Sequence, residues 1–510
     1  MSKTLSRFID AAGALERRGA VDPVITGLAY DSRKVMPGNL FFALPGLHVD
    51  GARFIPPAIA NGAVAVVHEG ELAEYAEGVA YIRVESARLA MSPLAAAFHD
   101  YPSRDLAVIG ITGTEGKSTT VSLVFQLLRL AGQRAGFIST VEYCAGDEVI
   151  SNPEHQTTPE AVTIHARLAE MRDAGCRYAV IESSSHGLSA KTGRLADVLF
   201  DAGIMTNVTH EHLEFHGTHE RYKSDKANLF RALDAHDHVK AGVPVPSFGV
   251  VNDEDAAAPY FRMATKKRVY GFSTSPAADF QGTVYARDIA VDPDGANFSV
   301  VANDERIPAR VNLPGAFNVK NALAALIAVS NLLDRPLTEL APLLPRLTPV
   351  RGRMTVINQG QDFEVLVDYA HTPSSFREIF PPLRARVTGR IISVFGSGGE
   401  RDTVKRPEQG RIAADYSDTV ILTDEDPRGE DPLTLLEEIA AGCPELRRDE
   451  RLFLIPDRPR AIRKALSLAK PGDLVLLLGK GHENSIIYRD KTVPYDEIAE
   501  AKAALRELGY

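Results

Sequence analysis

The sequence predicts an α/β protein of three domains built on parallel sheets. Its 510 residues exceed what one ordinary core can organise, so several domains are expected. Short apolar runs alternate with helical patterns from Arg104 to about Leu347, and the alternation resumes after residue 348. Such continuous apolar runs are what strands read as when helices cover both faces of a parallel sheet. Nearly every run ends in a glycine-rich or polar segment, and the carboxyl ends of strands are where open α/β sheets bind ligands. The expected domains are 1–103 (α/β), 104–347 (a central parallel sheet like that of P-loop ATPases) and 348–510 (a Rossmann-like unit).

Composition narrows the function. Hydrophobic residues make up 45% and charged residues 24%, the profile of a globular chain in water. A formal net charge of −10 argues against a nucleic-acid binder, which needs a basic surface, but leaves room for an anionic nucleotide held locally. The three cysteines, Cys144, Cys176 and Cys443, stand far apart in no metal-ligand spacing and read as buried thiols. No signal peptide is visible behind Lys3, Arg7 and Asp10, and the run Leu474 to Leu478 is too short to span a bilayer. A cytoplasmic protein with no membrane insertion is expected.

In the first domain, two Pro/Gly breaks frame Leu40 to Leu44 as a short buried strand. Val64–Val67 and Tyr81–Val84 read as further strands, and Pro93 to His99 as a helix. Ser32 and Arg33, beside a turn, suit either an anion or a helix cap with a solvated arginine.

The second domain opens on its strongest signal, Gly110-Ile-Thr-Gly-Thr-Glu-Gly-Lys-Ser-Thr-Thr120. It lies between an apolar run (Leu106 to Ile111) and an apolar helical segment (Val121 to Ala131), the context of a phosphate-binding loop. Gly113 and Gly116 leave backbone amides open to a phosphate, and the helix starting near Lys117 aims its positive end at the same anion. Lys117 would reach the terminal phosphates of ATP, and Ser118 would offer its hydroxyl to magnesium. The spacing departs from the usual signature, because Ile111 stands five residues before Gly116, where a glycine is expected. Glu182 closes the strand of Tyr178-Ala-Val-Ile-Glu182 and so stands where that magnesium would be. His210, His212 and His216 follow Ile204-Met-Thr-Asn207 in a spacing that matches no familiar zinc pattern. Lys226, on an expected helix from His219 to Leu233, reads by itself as a solvated lysine.

In the third domain the strands Val365–Val367, Arg390–Phe395, Val420–Leu422 and Asp473–Leu478 end in Asp368-Tyr-Ala-His-Thr-Pro373, Gly396 to Asp402, Asp424 to Pro432 and Gly479-Lys-Gly-His-Glu483. Gly396-Ser-Gly-Gly fails as a dinucleotide fingerprint, since Arg401 occupies its third glycine position. Polar ends of this density on one sheet edge make a site wall.

Taken together and in order, these motifs resemble the Mur ligase family of bacterial cell-wall synthesis. The resemblance spans nearly the whole chain: Asp31-Ser-Arg33, Pro37-Gly-Asn-Leu-Phe41 and Asp50-Gly51 in the first domain; the phosphate loop, Thr157-Thr-Pro159, Glu182-Ser-Ser-Ser-His-Gly-Leu188, Arg194 and Thr206-Asn207 leading to His212 in the second; Asp368 to Pro373, Gly398-Gly399, Arg401-Asp402, Lys405-Arg-Pro407, Asp426-Pro-Arg428 and Gly479 to Glu483 in the third. It implies an ATP-dependent ligase that adds the third amino acid to UDP-N-acetylmuramoyl-L-alanyl-D-glutamate. The first domain would then bind the UDP-sugar, the second ATP and the third the incoming amino acid. Gly113, Thr114, Gly116, Lys117, Ser118 and Thr119 would hold the ATP phosphates. Asn318, Arg353, Asp368 and His371 would line the nucleotide. Magnesium would be held by Ser118, Glu182, His212 and Lys226, the last as a carbamate formed from carbon dioxide, which reverses its reading as a solvated lysine. Lys117, Lys226, His212 and Glu182 are thus the implied catalytic residues. Ser32 would touch the uridine nucleotide, and Thr157, Thr158, Ser184 and Arg194 the dipeptide. Arg401, Asp426, Arg428, Gly479 and Glu483 would form the amino-acid pocket, and a monomer is expected.

Two departures from the family pattern conserve charge or shape: Glu115 in the loop, and Glu211-His-Leu-Glu-Phe-His216. A third bears on the substrate. A cross-linking third residue carries a second amine, so meso-diaminopimelate, lysine and ornithine are the candidates. Arg428, supported by Arg401, suits the distal carboxylate of diaminopimelate. Asp426, where the family has asparagine, would either repel that carboxylate or pair with Arg428 and cancel it. Two arginines against one aspartate favour diaminopimelate. The rival readings are folylpolyglutamate synthase and a non-catalytic nucleotide-binding regulator. Asp31-Ser-Arg33 and Asp426-Pro-Arg428 weigh against the first, and the dense polar strand ends of the third domain against the second.

Overall fold

The structure, a computed structural model, describes residues 2–19, 22–45, 51–154, 156–209, 213–275, 282–292, 294–303 and 305–510. Asp50, His210, Glu211 and His212 lie outside the described residues. The chain forms two compact units: Met1–Ser273 with Ala277–Val284 and Ala324–Leu340, and Thr274–Pro276 with Tyr285–Leu323 and Ala341–Tyr510.

The first unit contains two main sheets. The N-terminal sheet has five strands in the order Glu16–Arg18, Ala80–Arg83, Ala65–His68, Asn39–Phe42 and Gly27–Ala29, parallel except for the first. All four residues of Asn39–Phe42 are buried, as the framing turns imply. The helix expected from Pro93 instead runs Ala87–Phe98. Ser86 caps it by accepting a hydrogen bond from the Leu89 amide, and Pro93 sits inside, where it forfeits one helical bond. Burial of Ala90, Met91, Leu94, Ala95 and Phe98 compensates for that loss.

The second sheet of this unit carries the phosphate loop. Its parallel strands run in the order Ala135–Ile138, Tyr178–Glu182, Ala107–Thr112, Phe200–Met205, Phe248–Asn252 and Arg268–Ser273. Ala107–Thr112 comes first in the chain yet lies in the middle, with later strands on both sides. Its carboxyl end is therefore the topological switch point, where ligands bind in such sheets. Gly110 serves packing rather than phosphate: a side chain there would meet Leu229 Cδ1 of helix His219–Ala232 at 2.4 Å and Phe200 at 2.8 Å. That explains the glycine at 110.

The chain then makes an antiparallel meander, in the second unit from Tyr285 onward, where Thr283–Asp292 pairs with Gly295–Ala302 and the latter with Glu305–Val311. This departs from the strand–helix alternation expected up to residue 347. The main sheet then orders its strands Thr355–Val356, Glu364–Asp368, Leu474–Leu478, Ile391–Phe395, Thr419–Leu422 and Leu452–Leu454, parallel except for the first. Apolar clusters fill both of its faces. The carboxyl ends of the expected strands therefore share one edge, as the sequence implies.

Candidate active site

The strand Ala107–Thr112 ends in the loop 113–116, which passes straight into helix Lys117–Leu130. Two of its glycines are obligatory. Gly113 has φ +155°, and a side chain there would strike Thr206 Oγ1 at 1.9 Å; Gly116, at φ +80°, begins the helix without a side-chain cap. The neighbouring strand end shapes the loop. Asn207 Oδ1 accepts from the amides of Thr114 (3.1 Å) and Glu115 (2.8 Å), and Thr206 Oγ1 donates to Glu115 O at 2.6 Å. Thr114 Oγ1 lies 3.0 Å from Tyr222 Oη. Lys117 curls over the loop, its Nζ donating to Thr114 O at 2.6 Å. Asn207 and Tyr222 thus hold the loop, roles that only the strand-end position of Asn207 foreshadows in the sequence.

Glu182 is buried beside the loop, where its Oε1 accepts from Ser118 Oγ at 3.0 Å and its Oε2 from the Thr140 amide at 2.8 Å. Two buried hard oxygens at the head of a phosphate loop suit magnesium. The strand end continues into the dipeptide candidates. Thr158 Oγ1 donates to Glu182 O (2.8 Å) and accepts from the Ser184 amide (2.9 Å), and Ser184 Oγ caps the next turn at the Gly187 amide. Thr157 is half-buried next to it. Arg194 donates to Thr158 O (2.9 Å) and to Glu160 Oε1 (2.8 Å), an acid that Arg88 also reaches at 3.3 Å.

Lys226 is 2% exposed, which contradicts its reading as a solvated helix lysine. It shares a face of its helix with Tyr222 and Phe230, both fully buried, at i−4 and i+4. Its Nζ donates to Gly113 O and lies 4.4 Å from the centroid of the Tyr222 ring. The amine is therefore delivered to the phosphate loop itself. His216 ties the surroundings together, with Nδ1 2.8 Å from Asp225 Oδ2 and Nε2 3.0 Å from Ser185 Oγ.

Ser32 is buried in the turn Ser32–Lys34, but the cap is Asp31, which accepts from the Arg33 amide at 3.0 Å and pairs with the exposed Arg33 guanidinium at 2.8 Å.

In the second unit, Asn318 lies near the start of helix Phe317–Leu333, its Nδ2 donating to Pro314 O at 2.7 Å. Asp368 ends its strand and accepts from the amides of Met354 (2.8 Å) and Ala370 (2.7 Å). Burial raises the pKa of this carboxyl against the opposing pull of Arg353. Arg353 lies 4.6 Å over the Tyr369 ring, which also packs against His371 and His482 at 4.6 and 4.7 Å. The flat faces of this cluster suit a base or ribose.

The candidates Asp426 and Arg428 follow strand Thr419–Leu422, Gly479 and Glu483 follow Leu474–Leu478, and Arg401 follows Ile391–Phe395. Asp426 does not pair with Arg428. Its Oδ1 accepts from Lys480 Nζ at 2.9 Å and from the Ile487 amide at 2.9 Å. Lys480 also donates to Glu483 Oε2, and Glu483 Oε1 accepts from Tyr369 Oη at 3.3 Å. Arg428 takes φ +53°, and its buried Nε has no hydrogen-bond partner. Arg401 is exposed. Gly479 takes φ +98°, which a side chain rarely adopts, and a side chain there would press on Glu425 Oε2 at 2.7 Å. Burial raises the pKa of Glu425, with Lys405 and Lys480 opposing it. Sequence reasoning passed over both Lys480 and Glu425, because what marks them is burial at a sheet edge.

A buried ion pair fixes this edge from behind. Arg458 and Glu497 are both fully buried and joined by two hydrogen bonds of 2.9 and 2.6 Å, while Arg458 also donates to Asp424 O (3.1 Å) and Leu478 O (2.7 Å). Burial alone would weaken the guanidinium, but Glu497 outweighs it and raises its pKa. Glu497→Ala is expected to destabilise the protein by about 3–5 kcal/mol, because it leaves a buried charge unpaired. Denaturant unfolding would read this directly, and a loss under about 1 kcal/mol would contradict it.

Among the described residues, one other cluster has metal-ligand types: Asp201, His236 and His238. It is a buried charge network instead. His238 Nδ1 lies 2.9 Å from Asp201 Oδ1, His238 Nε2 2.8 Å from Leu233 O, and the Lys240 ammonium 3.0 Å from Asp201 Oδ2. Among the described residues, no helix is long and apolar enough to cross a membrane.

Comparison with known proteins identifies the family. Family models described as the Mur ligase catalytic domain, the Mur ligase middle domain and the Mur ligase glutamate ligase domain match residues 24–99, 111–329 and 352–481. The chain is 53% identical to a UDP-N-acetylmuramyl-tripeptide synthetase of Treponema denticola, over 99% of this chain and 98% of that protein. It is 37% identical to a UDP-N-acetylmuramoyl-L-alanyl-D-glutamate--2,6-diaminopimelate ligase of Caldanaerobacter subterraneus, covering 96% and 97% of the two chains. A solved structure with the same ligase description superposes with a TM-score of 0.61 at 30% identity, over 100% of both chains. MurF from Acinetobacter baumannii, at 19% identity and a TM-score of 0.69 over 100% of this chain and 99% of its own, shares the fold. With a phosphate loop at the switch point of its central sheet and relatives of this kind along its whole length, the chain belongs to the Mur ligase family and is an ATP-dependent amide ligase.

Proposed function

We propose that this ligase joins a diamino acid, through one amine, to the D-glutamyl carboxylate of UDP-N-acetylmuramoyl-L-alanyl-D-glutamate, and that the amino acid is meso-diaminopimelate. The observation that carries the choice is Arg428. Its buried Nε lacks a partner, and the aspartate that could have cancelled it is bound to Lys480. A guanidinium with an unmet donor and, among the described residues, no acid paired to it suits a distal carboxylate, which diaminopimelate has and lysine and ornithine lack. The names of relatives such as the Caldanaerobacter diaminopimelate ligase support the same reading.

In the reaction, the D-glutamyl carboxylate attacks the γ-phosphorus of ATP and ADP leaves, forming an acyl phosphate. The substrate amine then adds to the acyl carbon, and phosphate departs as the amide forms. Phosphoryl transfer of this kind is governed by positioning and charge neutralisation. Gly113, Thr114, Gly116, Lys117, Ser118 and Thr119 would cradle the phosphates. Asn318, Arg353, Asp368 and His371 would hold the rest of the nucleotide. Ser118, Glu182, His212 and a carbamate on Lys226 would hold magnesium, which would neutralise phosphate charge. Ser32 would contact the uridine nucleotide, and Thr157, Thr158, Ser184 and Arg194 the dipeptide. Arg401, Arg428, Asp426, Gly479 and Glu483 would receive the amino acid.

Competition among diaminopimelate, lysine and ornithine tests the choice. Wild type should consume diaminopimelate fastest, and Asp426→Asn should increase that preference by removing a negative charge near Arg428. Strong preference for lysine or ornithine, with diaminopimelate rejected, would show that the arginine does not decide the pocket.

A further inference from the structure

We propose that Lys480 is a specificity-determining residue that occupies, with its own ammonium, the place where a substrate's distal ammonium would otherwise bind. The inference rests on the reading of Asp426, Glu483 and Arg428 as amino-acid-binding residues, and it names the group that sets their charge. Lys480 is fully buried, and its Nζ bridges Asp426 Oδ1, at 2.9 Å, and Glu483 Oε2. Burial works against its charge, but the two carboxylates outweigh burial and hold its pKa above the ordinary lysine value. The Ile487 amide donates to the same Asp426 Oδ1, and the Tyr369 hydroxyl donates to Glu483 Oε1 at 3.3 Å, so Lys480 is the cation these two carboxylates share.

The consequence follows from charge and tether. Asp426 and Glu483 are the two acids of the candidate pocket best placed to recognise an ammonium, yet Lys480 is covalently attached and always present. A substrate ammonium must compete with it. The buried Arg428 Nε has no such occupant. With Lys480 in place, the named side chains carry three cations (Lys480, Arg428, Arg401) against two anions (Asp426, Glu483), which favours a ligand that brings a carboxylate. Without it, the buried carboxylate of Asp426 and the half-buried one of Glu483 lose their shared ammonium, and a ligand whose far end is a bare ammonium gains.

The experiment measures kcat/KM for diaminopimelate and for lysine in wild type, Lys480→Met, Lys480→Arg and Lys480→Met/Asp426→Asn. Methionine keeps length and bulk while removing the charge. Lys480→Met should lower the diaminopimelate-to-lysine ratio by about tenfold or more, equivalent to ~1.4 kcal/mol. Lys480→Arg should stay closer to wild type than Lys480→Met does. The double variant, which removes one carboxylate with the ammonium, should recover much of the ratio. A folded Lys480→Met with an unchanged ratio would overturn the proposal. If Lys480→Met does not fold, the double variant is compared with Asp426→Asn alone, where equal ratios overturn it and a lower ratio in the double variant supports it. A wild type that prefers lysine would refute diaminopimelate as the substrate, while the direction of the Lys480→Met shift would still decide the role of Lys480.

Discussion

Lys117→Ala should lower turnover by about a hundredfold to a thousandfold, ~3 kcal/mol or more of transition-state stabilisation, while the protein stays folded. Lys117 lies one residue beyond Gly116, at the helix start where the loop amides and the helix dipole already converge. Its Nζ donates to Thr114 O, a loop carbonyl, and can leave that bond for the more negative oxygens of a transferring phosphoryl group. The helix buries nine residues, among them Val121, Leu123, Val124 and Leu128, and does not depend on a half-buried lysine at its first position. Steady-state turnover and a melting curve on the same preparation separate chemistry from folding. Near-normal turnover would mean that Lys117 does not neutralise the transferred group.

Lys226→Ala should abolish product formation to a comparable degree. Lys226 is buried, and its Nζ donates to the loop carbonyl of Gly113. A neutral amine can add to carbon dioxide, forming an N–C bond and releasing a proton, which replaces a cation with an anion suited to magnesium. Crystals of the active, nucleotide-bound enzyme should show the extra density of a carboxyl group on Nζ, and the intact mass under native conditions should carry the same addition. A well-ordered, free ammonium in that complex would contradict the carbamate.

How much of this was legible in the sequence depends on how local each feature is. The phosphate loop was legible because strand, glycines, lysine and helix are contiguous, and each element's period and punctuation survive in a short window. The odd position of Gly110 was visible, but its reason was not: Leu229 and Phe200 approach it from far along the chain. Lys226 carried an unused signal, since Tyr222 and Phe230 at four-residue spacing mark an apolar face on which a lysine is out of place. The meander Thr283–Val311 also left a trace. Burial in Gly295–Ala302 alternates after its first two residues, with Asn297 exposed between Ala296 and Phe298, a two-residue period that the expected strand–helix alternation obscured. The motif resemblance located Asp426 and Arg428 but not their pairing. That pairing brings Lys480 across 54 residues to Asp426, and Arg458 across 39 to Glu497, distances over which no local pattern carries information. Asp31 rather than Ser32 as the cap is a smaller case of the same kind, settled only by backbone direction in the turn.

Phosphate transfer from ATP is expected to serve amide formation on a UDP-muramoyl dipeptide. Its most direct test is phosphate release from ATP with UDP-N-acetylmuramoyl-L-alanyl-D-glutamate, diaminopimelate, lysine and ornithine supplied singly and in combination. Sustained release is predicted only when the UDP-dipeptide and a diamino acid are both present, in step with the appearance of UDP-tripeptide. Release that ignores either substrate, or proceeds with no new amide formed, would contradict the account.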